Sequence, residues 1–106
     1  MFKIMDFKEF QDKSSELIKK IDAKYSGKHD IETTIIHLIE ELGEVAQQLY
    51  NQKIGRDKLD KENLAEEIAD CMILLSKLAS NFDIDLAKSI EDTFQKLKKR
   101  YNIANL

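Results

Sequence analysis

No proline interrupts this chain of 106 residues, and it holds only three glycines. Proline and glycine are the residues that most firmly end a helix, so their scarcity leaves long helices joined by few turns. Apolar residues recur at helical spacing nearly throughout. The spacing predicts an all-α chain of four helices, over residues 6–24, 30–51, 60–82 and 85–101. Asp6 with Glu9 three residues on has the pattern of a capping box, and Asp30 and Asp85 stand where helix-capping carboxylates belong. Gly27 and Gly55 fall in the first two connections. Connections this short favour antiparallel neighbours and hence a four-helix bundle. With no repeat, linker or low-complexity stretch, residues 1–106 read as one domain.

The charges are distributed unevenly along these helices. Residues 29–52 carry five acids (Asp30, Glu32, Glu40, Glu41, Glu44) and no lysine or arginine. Residues 62–76 carry four more (Glu62, Glu66, Glu67, Asp70), again with no basic residue. Solvated helices usually mix signs, because unlike charges one turn apart stabilise them. Carboxylates without basic neighbours on their own helix point to an outside countercharge, such as a divalent metal ion. The overall net charge of −3 argues against a nucleic-acid polymer as partner. The single cysteine, Cys71, excludes an internal disulfide and sits in an apolar run, as a small buried hydrophobe would. No stretch approaches the roughly 20 apolar residues of a membrane span. Residues 1–8 lack the apolar core of a secretory signal, so the expected compartment is the cytoplasm.

On the second helix, Ile35, Leu38, Ile39, Leu42, Ala46 and Leu49 form an apolar stripe, while Glu40, Glu41 and Glu44 cluster on another side near His37. Alone, that acidic arc is most simply a solvated face. The third helix changes the balance. Leu64, Ile68, Cys71, Leu75, Leu78 and Phe82 form its stripe, yet Met72, Ile73 and Leu74 are apolar as well. Residues 68–75 are therefore apolar nearly all round, which marks a buried helix, and Asp70 is their only charge. An ionised carboxylate buried there needs a partner. Lys77, about two turns on, is the nearest cation, and one lysine does not balance two acidic helices. Glu41 and Glu44 are three residues apart, as are Glu67 and Asp70, so each pair shares a helical face. Packed antiparallel, the two pairs would offer four hard oxygen ligands, a set suited to Mg²⁺ or Mn²⁺.

Glu40-Glu41-Leu42-Gly43-Glu44 followed, after 22 residues, by Glu67-Ile68-Ala69-Asp70 resembles the EExxE…ExxD signature of MazG-like nucleotide pyrophosphohydrolases. These enzymes belong to the all-α NTP pyrophosphatase superfamily, and the likeness extends roughly over residues 31–101. The apolar lead-in (Ile35 to Ile39) and the Asp-Ile-Asp-Leu of residues 83–86 add to it. The resemblance implies an oligomeric four-helix bundle, a homodimer or homotetramer. It also implies Mg²⁺-dependent hydrolysis of a nucleoside triphosphate between the α- and β-phosphates. Glu41, Glu44, Glu67 and Asp70 would bind the metal, and Glu40 would orient the attacking water or be a plain surface acid.

The resemblance implies that the basic end of the last helix, with Lys96, Arg100 and Tyr101, lies near the phosphates, while a cationic helix end also simply complements the helix dipole. Thr93 and Leu97 depart from the family pattern, where relatives often carry lysine and asparagine, which makes Lys53 and Arg56 substitute candidates. Gly43 reads as a point of close helix–helix approach or as room for a ligand. Phe7, Phe10 and Tyr25 read chiefly as core and secondarily as base-stacking groups, and His37 reads as a solvated or structural residue rather than a catalytic one. Phosphoribosyl-ATP hydrolysis is a narrower alternative, disfavoured because no histidine follows Asp70 closely. A helical interaction module without catalysis is the alternative from another class.

Overall fold

The computed structural model describes residues 4–106, leaving Met1–Lys3 outside the description. Four helices make up the regular structure of the described residues, without a strand: α1 (Phe7–Tyr25), α2 (Ile31–Lys53), α3 (Lys61–Asn81) and α4 (Leu86–Arg100). Each begins at an aspartate. The side chains of Asp6, Asp30, Asp60 and Asp85 accept from the backbone N–H three residues on, at 2.8, 2.9, 3.1 and 3.2 Å. Each carboxylate satisfies one amide that the helix itself cannot, and places negative charge at the positive end of the helix dipole. The helix starts are thus written directly in the sequence. α1 ends at Ser26, which takes up the left-handed conformation (φ 56°) and returns its N–H to the Asp22 carbonyl. Gly27 N–H reaches the same carbonyl at 2.9 Å.

α3 is the central element. α2 packs along it, and α1 lies across another side. Ile18 of α1, Leu38 of α2 and Cys71 and Leu74 of α3 form the buried cluster, with Ile73 packed against it. Among the described residues, no helix is long and apolar enough to cross a membrane.

α4 differs from the other three. It packs chiefly on α1 and buries none of its residues. Its start is held by one side chain. Gln11 Nε2 donates to the Ile84 carbonyl at 2.7 Å and to Ser80 Oγ at 3.2 Å, while its Oε1 accepts from Leu86 N–H at 2.9 Å. The radius of gyration is 16.6 Å, against about 13 Å for an ordinary compact domain of this size. The closed four-helix bundle expected from the short connections is therefore not completed within one chain. Three helices pack together, and the fourth makes only a small contact, chiefly with α1.

The expected core stripes are corrected in the same way. Of the α2 stripe only Leu38 is buried, while Ile39 is 61% and Leu42 50% exposed. On α3, Ile68, Leu75 and Phe82 are likewise exposed. The α2 face turned toward the rest of the chain carries Thr34, Leu38, Glu41, Val45 and Gln48 instead. Polar groups of α2 and α3 meet inside, and much of the apolar surface faces outward. Gly43 has open space where a Cβ would stand, so no close helix approach occurs there within the chain.

Gln11→Met removes two bonds at the start of α4 and one to Ser80 of α3, and leaves the Ile84 carbonyl and Leu86 N–H without their partner. A destabilisation of about 1–3 kcal/mol follows from such a loss, read as a fall in Tm. Gln95→Met, on the exposed face of α4, changes stability by less than about 0.5 kcal/mol.

Candidate metal centre

α2 and α3 run antiparallel, since Glu44 meets Glu67 while Asn51 and Asn63 line the same cavity further along. This arrangement turns the two acidic pairs toward each other. Ligand oxygens of Glu41, Glu67 and Asp70 all lie within 4.8 Å of one another. Three of the four sequence-predicted ligands thus converge on one point. Glu44 adjoins this group through Glu67.

The electrostatics reflect the crowding. The hydrogen bond shared with Glu67, and then the Glu67 charge, push the Glu44 carboxyl above the usual carboxylate range. Glu67 is pushed up first by its hydrogen bond with Glu41, then by burial and by the Glu41 and Asp70 charges, with the contact to Glu44 acting in the opposite sense. Among the described residues, no lysine or arginine forms an ion pair with these four acids. Glu67 Oε2 is buried with no hydrogen-bond donor to meet it. A buried oxygen without a donor, among carboxylates that raise one another's proton affinity, suits a divalent cation held by hard oxygen ligands.

Asp70, expected to be buried, is exposed. The apolar residues around it on α3, Ile68 and Met72 among them, are themselves half-open, so nothing in the single chain covers that turn. Glu40 is exposed and stands outside the converging group, one turn before Glu44. Cys71 is buried as expected. Burial and then the charges of Glu41, Asp70, Glu67 and Glu44 push its thiol up, away from the reactive thiolate. Lys96, Arg100 and Tyr101 ride on the end of α4, which packs chiefly on α1 rather than on the helices of the acidic group. Lys53 closes α2, about 18 Å along the helix from Glu41. Phe7 and Phe10 are partly buried and meet edge to face, 5.9 Å between centroids, whereas Tyr25 is 72% exposed.

Two cavities flank the carboxylates. One of about 210 Å³ is lined by Leu17, Ile18, Ile21, Ile73 and Leu74, with His29, His37, Glu41 and Asp70 at its polar side. The other, about 270 Å³, is lined by Gln47, Gln48, Asn51 and Asn63, with Glu44 and Glu67. The acidic group therefore lies between an apolar recess and an amide-lined one.

A chain of hydrogen bonds enters from the apolar side. His29 Nδ1 lies 2.8 Å from Asp22 Oδ1, His29 Nε2 lies 2.8 Å from His37 Nδ1, and His37 Nε2 lies 3.2 Å from Glu41 Oε1. With both carboxylates ionised, completing all three bonds takes three protons on the four ring nitrogens, one more than two neutral imidazoles carry. Sequence reasoning placed His37 near the acids but missed Asp22 and His29. Their contact spans the α1–α2 connection, where no helical period relates one residue to the next.

A family model for the MazG nucleotide pyrophosphohydrolase domain matches residues 29–103. No curated protein and no solved structure gives a significant match. The matched span begins at His29, takes in both acidic pairs and covers α2, α3 and α4. Its extent and the converging carboxylates lead to one conclusion: the chain belongs to the MazG nucleotide pyrophosphohydrolase family.

Proposed function

We propose that this protein is a Mg²⁺-dependent nucleoside triphosphate pyrophosphohydrolase, cleaving a (deoxy)nucleoside triphosphate to the monophosphate and pyrophosphate. The observation that carries this reading is the convergence of Glu41, Glu67 and Asp70 around a buried Glu67 oxygen that has no donor. Glu41, Glu44, Glu67 and Asp70 would hold Mg²⁺, with Mn²⁺ as a substitute. The bound ion would supply positive charge against the phosphate oxygens, the main need of phosphoryl transfer. Glu40, exposed beside the group, would accept a proton from the water that attacks the α-phosphorus. The bond from that phosphorus to the bridging oxygen breaks, and its electron pair leaves with pyrophosphate. The apolar recess of Leu17, Ile18, Ile21, Ile73 and Leu74 would receive the nucleoside. Clearing noncanonical or surplus nucleotides from the cytoplasm is a role consistent with such a small enzyme.

A second copy of the chain completes the arrangement in this proposal. Ile36, Ile39, Leu42 and Leu49 on α2, with Ile68 and Leu75 on α3, are exposed. Outward apolar surface of this extent marks an interface. The apolar side of α4, with Leu86, Ile90, Phe94 and Leu97, lines a further open groove. Assembly as a homodimer or homotetramer would cover these faces and bring Lys96, Arg100 and Tyr101 of α4, with Lys53, toward the phosphates.

A panel of nucleoside triphosphates incubated with Mg²⁺ tests the activity through pyrophosphate release. Glu67→Gln lowers kcat/KM by on the order of 10²–10³-fold, the consequence of losing several kcal/mol of cation-mediated stabilisation. If no triphosphate is cleaved with any divalent ion, a helical interaction module replaces the enzyme.

Glu44→Gln separates repulsion from metal binding. A raised carboxyl pKa means that the folded chain holds more protons than the unfolded one above the ordinary carboxylate range, so the ionised group costs stability as pH rises. The metal-free variant therefore melts higher than the parent protein at neutral pH. The difference disappears as the pH falls through and below the ordinary carboxylate range, where Glu44 is protonated in both states. Saturating Mg²⁺ raises the parent's stability by about 2.7 kcal/mol at a hundred times Kd, and the variant's by less.

Ile39→Glu, in the middle of the exposed α2 stripe, dissociates the assembly while each chain keeps its helices. Sedimentation velocity paired with circular dichroism reads both.

A further inference from the structure

We propose that Asp22, His29 and His37 form a hydrogen-bonded strut that fixes the carboxylate of Glu41, so that the α1–α2 connection sets the geometry of the cation site. The inference rests on the metal-binding reading of the acidic group. It goes beyond that reading by giving positioning roles to residues that do not touch the ion.

The strut is continuous. Asp22 sits in the last turn of α1, His29 in the connection and His37 one turn before Glu41 on α2. Its three contacts measure 2.8, 2.8 and 3.2 Å. The second Asp22 oxygen lies 3.0 Å from the same His29 nitrogen, so the carboxylate grips it with both oxygens. Exposed pairs of this kind contribute little, but the side chains of Asp22, His29 and Glu41 are only 16%, 18% and 16% exposed, and His37 between them is 42% exposed. Ligand-orienting hydrogen bonds of this sort commonly change metal affinity by 10–100-fold.

Gly27 supplies an independent sign that the Asp22 carboxylate has a required position. A Cβ at Gly27 would lie 2.8 Å from Asp22 Oδ1, the oxygen that meets His29 at 2.8 Å. The glycine leaves room for the carboxylate to face the histidine. Asp22 and Gly27 both lie before residue 29, where the family match begins. The strut therefore joins the acidic motif to a helix outside the matched span.

The test uses the full chain and Mn²⁺ alone, titrated calorimetrically into the parent protein and into Gly27→Ala, Asp22→Asn, their double variant and Glu67→Gln. Gly27→Ala clashes only with the movable end of the Asp22 side chain, so it keeps the fold, verified by circular dichroism and Tm. Gly27→Ala and Asp22→Asn each weaken Mn²⁺ binding about tenfold, and the double variant weakens it no further, because both act through one contact. Added Mg²⁺ also shifts the ring ¹⁵N resonances of His29, which no ion touches, and in Asp22→Asn this shift is lost. A purely structural Asp22 would leave that response unchanged. Parental affinity in Gly27→Ala and Asp22→Asn, with binding abolished by Glu67→Gln, overturns the strut and leaves the metal site standing. If the parent protein binds neither ion, the metal reading fails and the strut with it.

Discussion

Mutual repulsion among four carboxylates on two packed helices is the constraint around which this chain is organised. Helices α2 and α3 bring Glu41, Glu44, Glu67 and Asp70 together and, among the described residues, no lysine or arginine is paired to them. A protein assembled only for stability would avoid this, since removing unlike partners from a crowd of like charges costs free energy. The tension is partly absorbed by raised proton affinity at Glu44 and Glu67. The remainder is a standing demand for positive charge. The stored repulsion and the proposed affinity for a divalent ion are thus one property seen from two sides.

That demand shapes the packing around it. Turning acidic and amide side chains inward between α2 and α3 forces the apolar stripes outward, which is why Ile39, Leu42, Ile68 and Leu75 stand open. The buried apolar cluster of a single chain is correspondingly small, centred on Ile18, Leu38, Cys71 and Leu74. The surface that an isolated domain would use for its core is left open, and in the proposed assembly, where a second copy would cover it, folding and association would be coupled. The apolar recess beside the acids belongs to the same geometry. It is walled by α1 on one side and α3 on the other, and it opens at Glu41 and Asp70.

The number and type of helices were legible in the sequence, as were their starts, because each rests on short-range chemistry. An aspartate three residues before a free amide caps a helix whatever lies elsewhere in the fold. The convergence of Glu41, Glu67 and Asp70 was legible for a similar reason: i,i+3 spacing places two carboxylates on one face before any partner is known. What the sequence did not disclose depends on which face meets which neighbour. Periodicity locates the apolar stripes of α2 and α3 but assigns them to the interior, and Asp70 with them, whereas all but Leu38 and Cys71 of the named stripe positions are at least partly open and Asp70 is exposed. Periodicity marks a face as apolar without saying whether its own chain or another copy covers it. The contact from Asp22 through His29 to His37 was invisible, since it crosses a turn. Gln11 was missed because a lone glutamine on a helix gives no sign of its tertiary partners.

Gln11 has a mechanical consequence. Its amide holds the beginning of α4 to α1 and to the end of α3, while no residue of that helix is fully buried. The helix is then a lever about 22 Å long, anchored near one end. A rotation of about 10° at the anchor would sweep Arg100 through about 4 Å at this helical rise, roughly the width of a phosphate group. Where the cationic tip comes to rest is therefore decided less by α4's own sequence than by the surface on which its apolar side is laid.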